Sequence, residues 1–91
     1  MLFRSLGQVI DARCDLYSLG VMLYEMLTGD RPYRADTAEA LLDLHIQAPV
    51  PQLESRYARL QPVLDQLMSK DRGQRYASAG DVLEDLARRG L

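Results

Sequence analysis

The sequence predicts an all-α fold of four main helices, on three observations. Between Leu16 and Leu27 only Ser18 and Glu25 are strongly polar, so this stretch is apolar nearly all the way round a helix. A surface helix shows one apolar stripe, whereas one apolar on every side is buried in a core or a membrane. Three later segments repeat apolar residues at helical spacing, and no segment alternates apolar and polar residues as a half-buried strand does.

The opening residues, through Asp11, contain Gly7 and no sustained period, and read as a lead-in loop over 1–11. The first helix is expected to start at Asp11 or Ala12 and to stop at Gly29, because glycine tolerates the positive φ found just past a helix end. Its apolar run falls short of the roughly 20 residues needed to cross a bilayer, so the helix is expected to be central and surrounded by others. Asp30-Arg31-Pro32-Tyr33 is a connector, since Pro32 cannot continue a helix and biases Arg31 toward extended geometry.

Asp36 or Thr37 then caps a second helix, whose inward face is Leu41, Leu42, His45 and Ile46, widened by Leu44. His45 reads as a plain helix residue. The prolines of Ala48-Pro49-Val50-Pro51 enforce an extended segment, and a loop runs on through about Ser55-Arg56. A third helix has Pro62 in its first turn, where no amide partner is lost, and an apolar face of Leu60, Val63, Leu64, Leu67 and Met68. Lys70 to Arg75 form a polar turn. Ser78 caps the fourth helix, with Asp81 three residues on in a position like that of a capping box. Val82, Leu83 and Leu86 are expected to face inward, with Leu91 a further candidate.

Ninety-one residues make one domain or a piece of one, with modest burial and marginal stability for a lone chain. The net charge of −2 and scattered Lys and Arg give no footprint for nucleic acid or an anionic membrane. The N-terminal residues lack the basic start and apolar core of a secretory signal. A single cysteine, Cys14, excludes an internal disulfide framework and fits a cytoplasmic, reducing setting. With one Cys and one His, no metal site and no cofactor are expected.

The run from Asp15 to Gly29, Asp-Leu-Tyr-Ser-Leu-Gly-Val-Met-Leu-Tyr-Glu-Met-Leu-Thr-Gly, resembles the central large-lobe helix of eukaryotic-like Ser/Thr protein kinases. Asp11-Ala12-Arg13-Cys14-Asp15 resembles that family's Val-Asp-x-Arg-Ser-Asp lead-in, with Cys14 in place of Ser. Gly29-Asp30-Arg31-Pro32-Tyr33 is similar to its Gly-x-x-Pro-Phe. Leu67 to Ala79 resembles the bacterial form of Leu-x-Lys-Asp-Pro-x-x-Arg-x-x-Ser-Ala, with Arg72 replacing proline. The resemblance covers residues 8–88 in the family's order. It implies that 12–91 form the C-terminal helical part of the large lobe, a scaffold and substrate platform.

Phosphoryl transfer in that family uses a Gly-rich loop and Lys for the phosphates, an Asp for the hydroxyl, and Asn and Asp for magnesium. The sequence has no Gly-x-Gly-x-x-Gly, no Val-Ala-x-Lys, no His-Arg-Asp, no Asp-Phe-Gly and no Asn at all. No catalytic, cofactor-binding or metal residue is therefore assigned, and these residues alone are expected to be catalytically inactive.

The resemblance implies structural positions instead. Asp15 would hold the catalytic loop in a complete kinase; here it is expected to act as a carboxylate at a helix N-terminus. Gly20 belongs to the central-helix pattern. Met22 and Met26 correspond to a floor beneath the family's hydrophobic column and are expected to fill core gaps. Glu25 either meets a basic substrate side chain or faces solvent. Arg75 pairs in the family with the Glu of Ala-Pro-Glu, which is missing, so it must find another carboxylate or reach water. Cys14 is expected to be inert.

Three partner helices cannot cover the first helix on every side. Self-association, simplest as a two-fold dimer, is therefore expected to bury part of Tyr17, Val21, Tyr24 or Thr28 against a second copy. The alternative to a truncated kinase is a kinase-derived helical protein–protein interaction module.

Overall fold

The computed structural model describes residues 2–91, with side chains from residue 14 onward. Among these, four α-helices and two short 3-10 turns account for the regular structure, with no strand. The all-α class read from the sequence is what the chain adopts.

Helix α1 spans Leu2–Thr28, so it begins well before the expected start at Asp11 or Ala12, and residues 2–11 are helical rather than a lead-in loop. The stretch contains no proline, and one interior glycine costs only about 1 kcal/mol. Once nucleated, a helix gains one hydrogen bond per added residue, so Gly7 does not stop it. At the other end the expected stop holds. Gly29 has φ +76°, and its N–H donates to the Glu25 carbonyl at 2.8 Å.

Helix α2, Ala38–Gln47, is capped by Thr37, whose hydroxyl accepts from the Ala40 N–H. Its expected inward face is not buried: Leu42 and Ile46 are more than half exposed. The helix touches its neighbours through His45 and the half-buried Leu41 and Leu44, leaving the Leu42–Ile46 edge to water.

The segment after α2 is clamped by Gln61. Its Oε1 accepts from the Leu53 N–H at 2.7 Å, while its Nε2 donates to the Pro51 carbonyl at 3.2 Å and the Asp65 carboxylate at 2.8 Å. A 3-10 turn over Ser55–Leu60 then enters α3, Gln61–Leu67, with Pro62 in the first turn as expected. Helix α4, Ala79–Arg88, starts at the expected cap, the Ser78 hydroxyl accepting from the Asp81 N–H.

The core lies between α1, α3 and α4. Leu16, Val63, Leu67, Tyr76 and Val82 form it, with Leu23 and Leu86 packed on its margin; Leu64 and Met68 are fully buried beside them. Among the described residues of α1, those that meet this core lie on the line through Leu16, Gly20 and Leu23. Along its described side chains the helix is not surrounded as expected, since Leu19, Met22 and Met26 remain exposed.

In α4 the inward residues are Val82 and Asp85, with Leu86 half-buried. Leu83 and Leu91, expected inside, are exposed. Asp85 takes the inner position because its carboxylate is fully engaged: the Tyr76 hydroxyl, Arg88 and Arg89 all donate to it. A buried carboxylate is tolerated when its hydrogen bonds are met in this way.

Candidate functional site

A polar cluster joins α1, the connector, α2 and the turn after α3. Tyr17 projects from α1, and its hydroxyl lies 2.8 Å from His45 Nδ1 on α2. Lys70 Nζ donates to the His45 carbonyl and to the Tyr33 hydroxyl, each at 2.9 Å. The Tyr33 hydroxyl in turn donates to the Pro49 carbonyl at 2.8 Å, fixing the extended segment. The rings of Tyr33 and Tyr17 meet His45 edge-on, with centroids 4.9 and 5.8 Å away.

Cations lie over these rings. Lys70 Nζ is 4.7 Å from the Tyr33 centroid, and the Arg75 guanidinium is 4.8 Å from that of Tyr17. Each contact is worth about 0.5–1 kcal/mol at partly exposed sites. Tyr17, His45, Ile46, Lys70, Arg72 and Arg75 line an open hollow of about 280 Å³.

Its electrostatics follow from burial and from the cations. Burial, then the Lys70 charge, hold the His45 pKa below its ordinary value. Burial, then Arg75, lower that of Lys70. Burial, with Tyr17 adding to it, pushes the Tyr33 hydroxyl up to about 12. Burial also raises Tyr17, with Arg75 opposing.

Of the positions singled out in the sequence, this region gathers only Arg75. Its Nε donates to the Ser69 carbonyl at 2.7 Å while its guanidinium stacks on Tyr17. Gly20 is buried against α3. Asp15, Met22 and Met26 lie on the open side of α1. Asp15 is exposed in the interior of the helix, far from its N-terminus, so it is not the helix-start carboxylate expected. The dipole acts only within the first turn.

Met22 and Met26 are 54% and 80% exposed, so they do not fill core gaps; α3 covers the Leu16–Gly20–Leu23 line and leaves theirs open. With Leu19, also exposed, they form an apolar strip spaced by three and four residues. Tyr17, Val21, Tyr24 and Thr28, expected on the uncovered side, are half-buried within the chain. Glu25 is half-buried, and Cys14 is exposed and free.

Sequence reasoning missed the cluster of Tyr17, Tyr33, His45 and Lys70. One signal was available. His45 shares the apolar phase of α2 with Leu41 and Ile46, where a histidine needs a polar partner across the interface.

The described residues contain no group of three or more His, Cys, Asp or Glu placed to hold a metal, and no helix long and apolar enough to cross a membrane. What the described residues define is an all-α segment whose connector, second helix and α3–α4 turn are tied together by one polar junction.

Comparison with known proteins gives the relationship directly. The chain is 42% identical over 84 residues to the serine/threonine-protein kinase PknD of Mycobacterium tuberculosis (strain CDC 1551 / Oshkosh). That match takes in 87% of the chain and 13% of the kinase. It is 39% identical over 87 residues to PknB of Mycolicibacterium smegmatis, covering 90% of the chain and 14% of the kinase. PknB of Mycobacterium tuberculosis (strain ATCC 25177 / H37Ra) is 36% identical over 86 residues, again with 90% and 14% coverage. No family model matches the chain. The sequence is thus homologous to one segment of bacterial Ser/Thr protein kinases, and it spans only about an eighth to a seventh of the relatives' length.

Proposed function

We propose that these residues are the C-terminal helical part of a Ser/Thr protein kinase large lobe, acting as scaffold and substrate platform and catalytically incompetent by themselves. The observation that carries this reading is the homology running along nearly the whole chain, together with a sequence lacking every phosphate and magnesium ligand motif of the family. In that role α1 corresponds to the central helix, and its Leu19–Met22–Met26 strip to the face that other large-lobe elements cover. The free thiol of Cys14 fits a reducing cytoplasm.

Titration calorimetry with magnesium-ATP and a phosphotransfer assay on casein test the incompetence. Neither saturable binding nor transfer is expected, and micromolar nucleotide affinity overturns the reading.

The exposed strip favours a second reading, a helical interaction module that uses the same face. On either reading the chain alone is expected to self-associate as a two-fold dimer through Leu19, Met22 and Met26, since each copy can cover the other's apolar strip. Sedimentation equilibrium decides this, and a monomer that also binds no hydrophobic dye excludes it.

A further inference from the structure

Among the described residues, none in α2 is buried, so hydrophobic packing alone does not seat this helix. Its polar ties converge on His45. The imidazole meets Tyr17, the backbone carbonyl accepts from Lys70, and the Tyr33 ring packs edge-on while its hydroxyl holds the Pro49 carbonyl just beyond the helix.

The groups facing His45 come from three directions: Tyr17 from α1, Tyr33 from the connector, and Lys70, Arg72 and Arg75 from the turn between α3 and α4. None of the described residues lining the shared hollow is a carboxylate. On α2 itself, Asp43 lines a different surface hollow with Ala40, Leu44 and Gln47. In the neighbouring turn, the Asp71 carboxylate is engaged by the Gly73 N–H at 2.8 Å.

We propose that this junction is a pH-sensitive latch, in which neutral His45 seats α2 and its protonation, placing a second cation beside Lys70 and removing the acceptor used by the Tyr17 hydroxyl, loosens the helix from α1 and the α3–α4 turn.

The charge balance sets the direction. A neutral imidazole can accept from the Tyr17 hydroxyl at no electrostatic cost. An imidazolium in the same place is repelled by Lys70 and is partly desolvated, and both effects disfavour the charged form in the seated state. A group whose pKa is lowered on seating resists protonation there. Seating is therefore complete above the ordinary histidine value of about 6.5 and weakens as pH falls through and below it. Histidine is the side chain whose ordinary titration makes such a change possible in mildly acidic solution.

Amide hydrogen exchange on the full chain at about pH 7.5 and about pH 5, corrected for intrinsic exchange, tests this in the histidine titration range. The opening of α2 amides relative to those of α3 is expected to rise about fivefold at the acidic pH, the factor of one net hydrogen bond. In His45→Gln the rise is expected to vanish. In Lys70→Gln, NMR titration of His45 is expected to place its midpoint nearer the ordinary value, and the acidic rise is expected to shrink. Equal α2 opening at both pH values overturns the latch. So does a full response in His45→Gln, or an unchanged His45 midpoint in Lys70→Gln.

Discussion

Gly20 of α1 lies so close to Met68 at the end of α3 that a Cβ on the glycine would stand 2.7 Å from the Met68 Cγ and 3.0 Å from the Leu67 Cβ. The contact fixes how near the two helices come. Met68 is fully buried, and the atom in the way belongs to the middle of its side chain, so it has nowhere to swing. In an exposed helix interior, Gly→Ala is favourable by about 1 kcal/mol. Here overpacking of about 1–3 kcal/mol opposes that gain. Gly20→Ala is expected to destabilise the chain by a net ~1 kcal/mol, read as a lower urea midpoint at unchanged slope. A stabilised variant would show that α1 and α3 have room to separate.

The position of Asp15 reverses a natural expectation for a leading carboxylate. It is exposed and lies well inside a helix that begins at Leu2, so it caps nothing and meets no dipole end. Asp15→Ala is expected to leave stability unchanged or to raise it by up to about 0.7 kcal/mol, the spread of helix propensity among ordinary residues. Thermal denaturation checks the sign, and a loss beyond about 1 kcal/mol would give Asp15 a capping role after all.

Much of the fold was legible because local chemistry decides it. Thr37 and Ser78 cap where hydroxyl residues precede helical periods, and Gly29 ends α1 through its positive φ. The α3 face was readable because Val63, Leu64, Leu67 and Met68 are apolar at the spacing of one helix side. What periodicity does not report is how many neighbours exist to cover a face. Leu42, Ile46, Leu83, Met22 and Met26 all carry the right pattern and remain exposed, because the elements packed here leave those faces uncovered. Asp85 fails in the opposite sense. Its burial depends on Tyr76, Arg88 and Arg89 arriving together, and the polar cluster around His45 depends on residues from α1 to the α3–α4 turn. Such pairings are tertiary facts.

The Tyr76–Asp85 pair gives both a variant and a pH prediction. The donors from Tyr76, Arg88 and Arg89 hold the Asp85 carboxyl well below the usual carboxylate range. A carboxyl with a lowered pKa contributes stability that is complete above its ordinary value of about 4 and is lost as pH falls through the lowered one. Asp85→Asn is expected to flatten this acid limb. Tyr76→Phe removes one hydrogen bond from a buried hydroxyl and is expected to cost about 1 kcal/mol at neutral pH. Urea midpoints across acidic pH measure both, and an acid limb unchanged in Asp85→Asn would remove Asp85 from the balance.

At alkaline pH the sign is set by tyrosine. Burial pushes the Tyr76 hydroxyl up to about 12, helped by its hydrogen bond to Asp85, and Tyr33 also stands at about 12. A raised tyrosine favours the fold below the ordinary value of about 10, and that contribution fades as pH climbs toward about 12. Absorbance titration is expected to show delayed ionisation of these two phenols and unfolding on the same limb. Tyr33→Phe and Tyr76→Phe should each remove one delayed step.

Leu64 is fully buried and Met26 is 80% exposed, and the two positions separate stability from association. Leu64→Ala empties a packed site and is expected to cost about 2–5 kcal/mol, enough to unfold much of a small domain. Met22→Glu with Met26→Glu removes no packed atoms and is expected to shift stability by no more than about 0.5 kcal/mol per site. The same pair places charge on the strip whose cover is worth roughly 25 cal/mol per Å² of apolar surface. Sedimentation equilibrium is expected to show a self-associating parent chain and a monomeric Met22→Glu, Met26→Glu variant with an unchanged helical circular dichroism spectrum. If the double variant still associates, the contact between copies lies elsewhere, and the Leu42–Ile46 edge of α2 becomes the surface to substitute next.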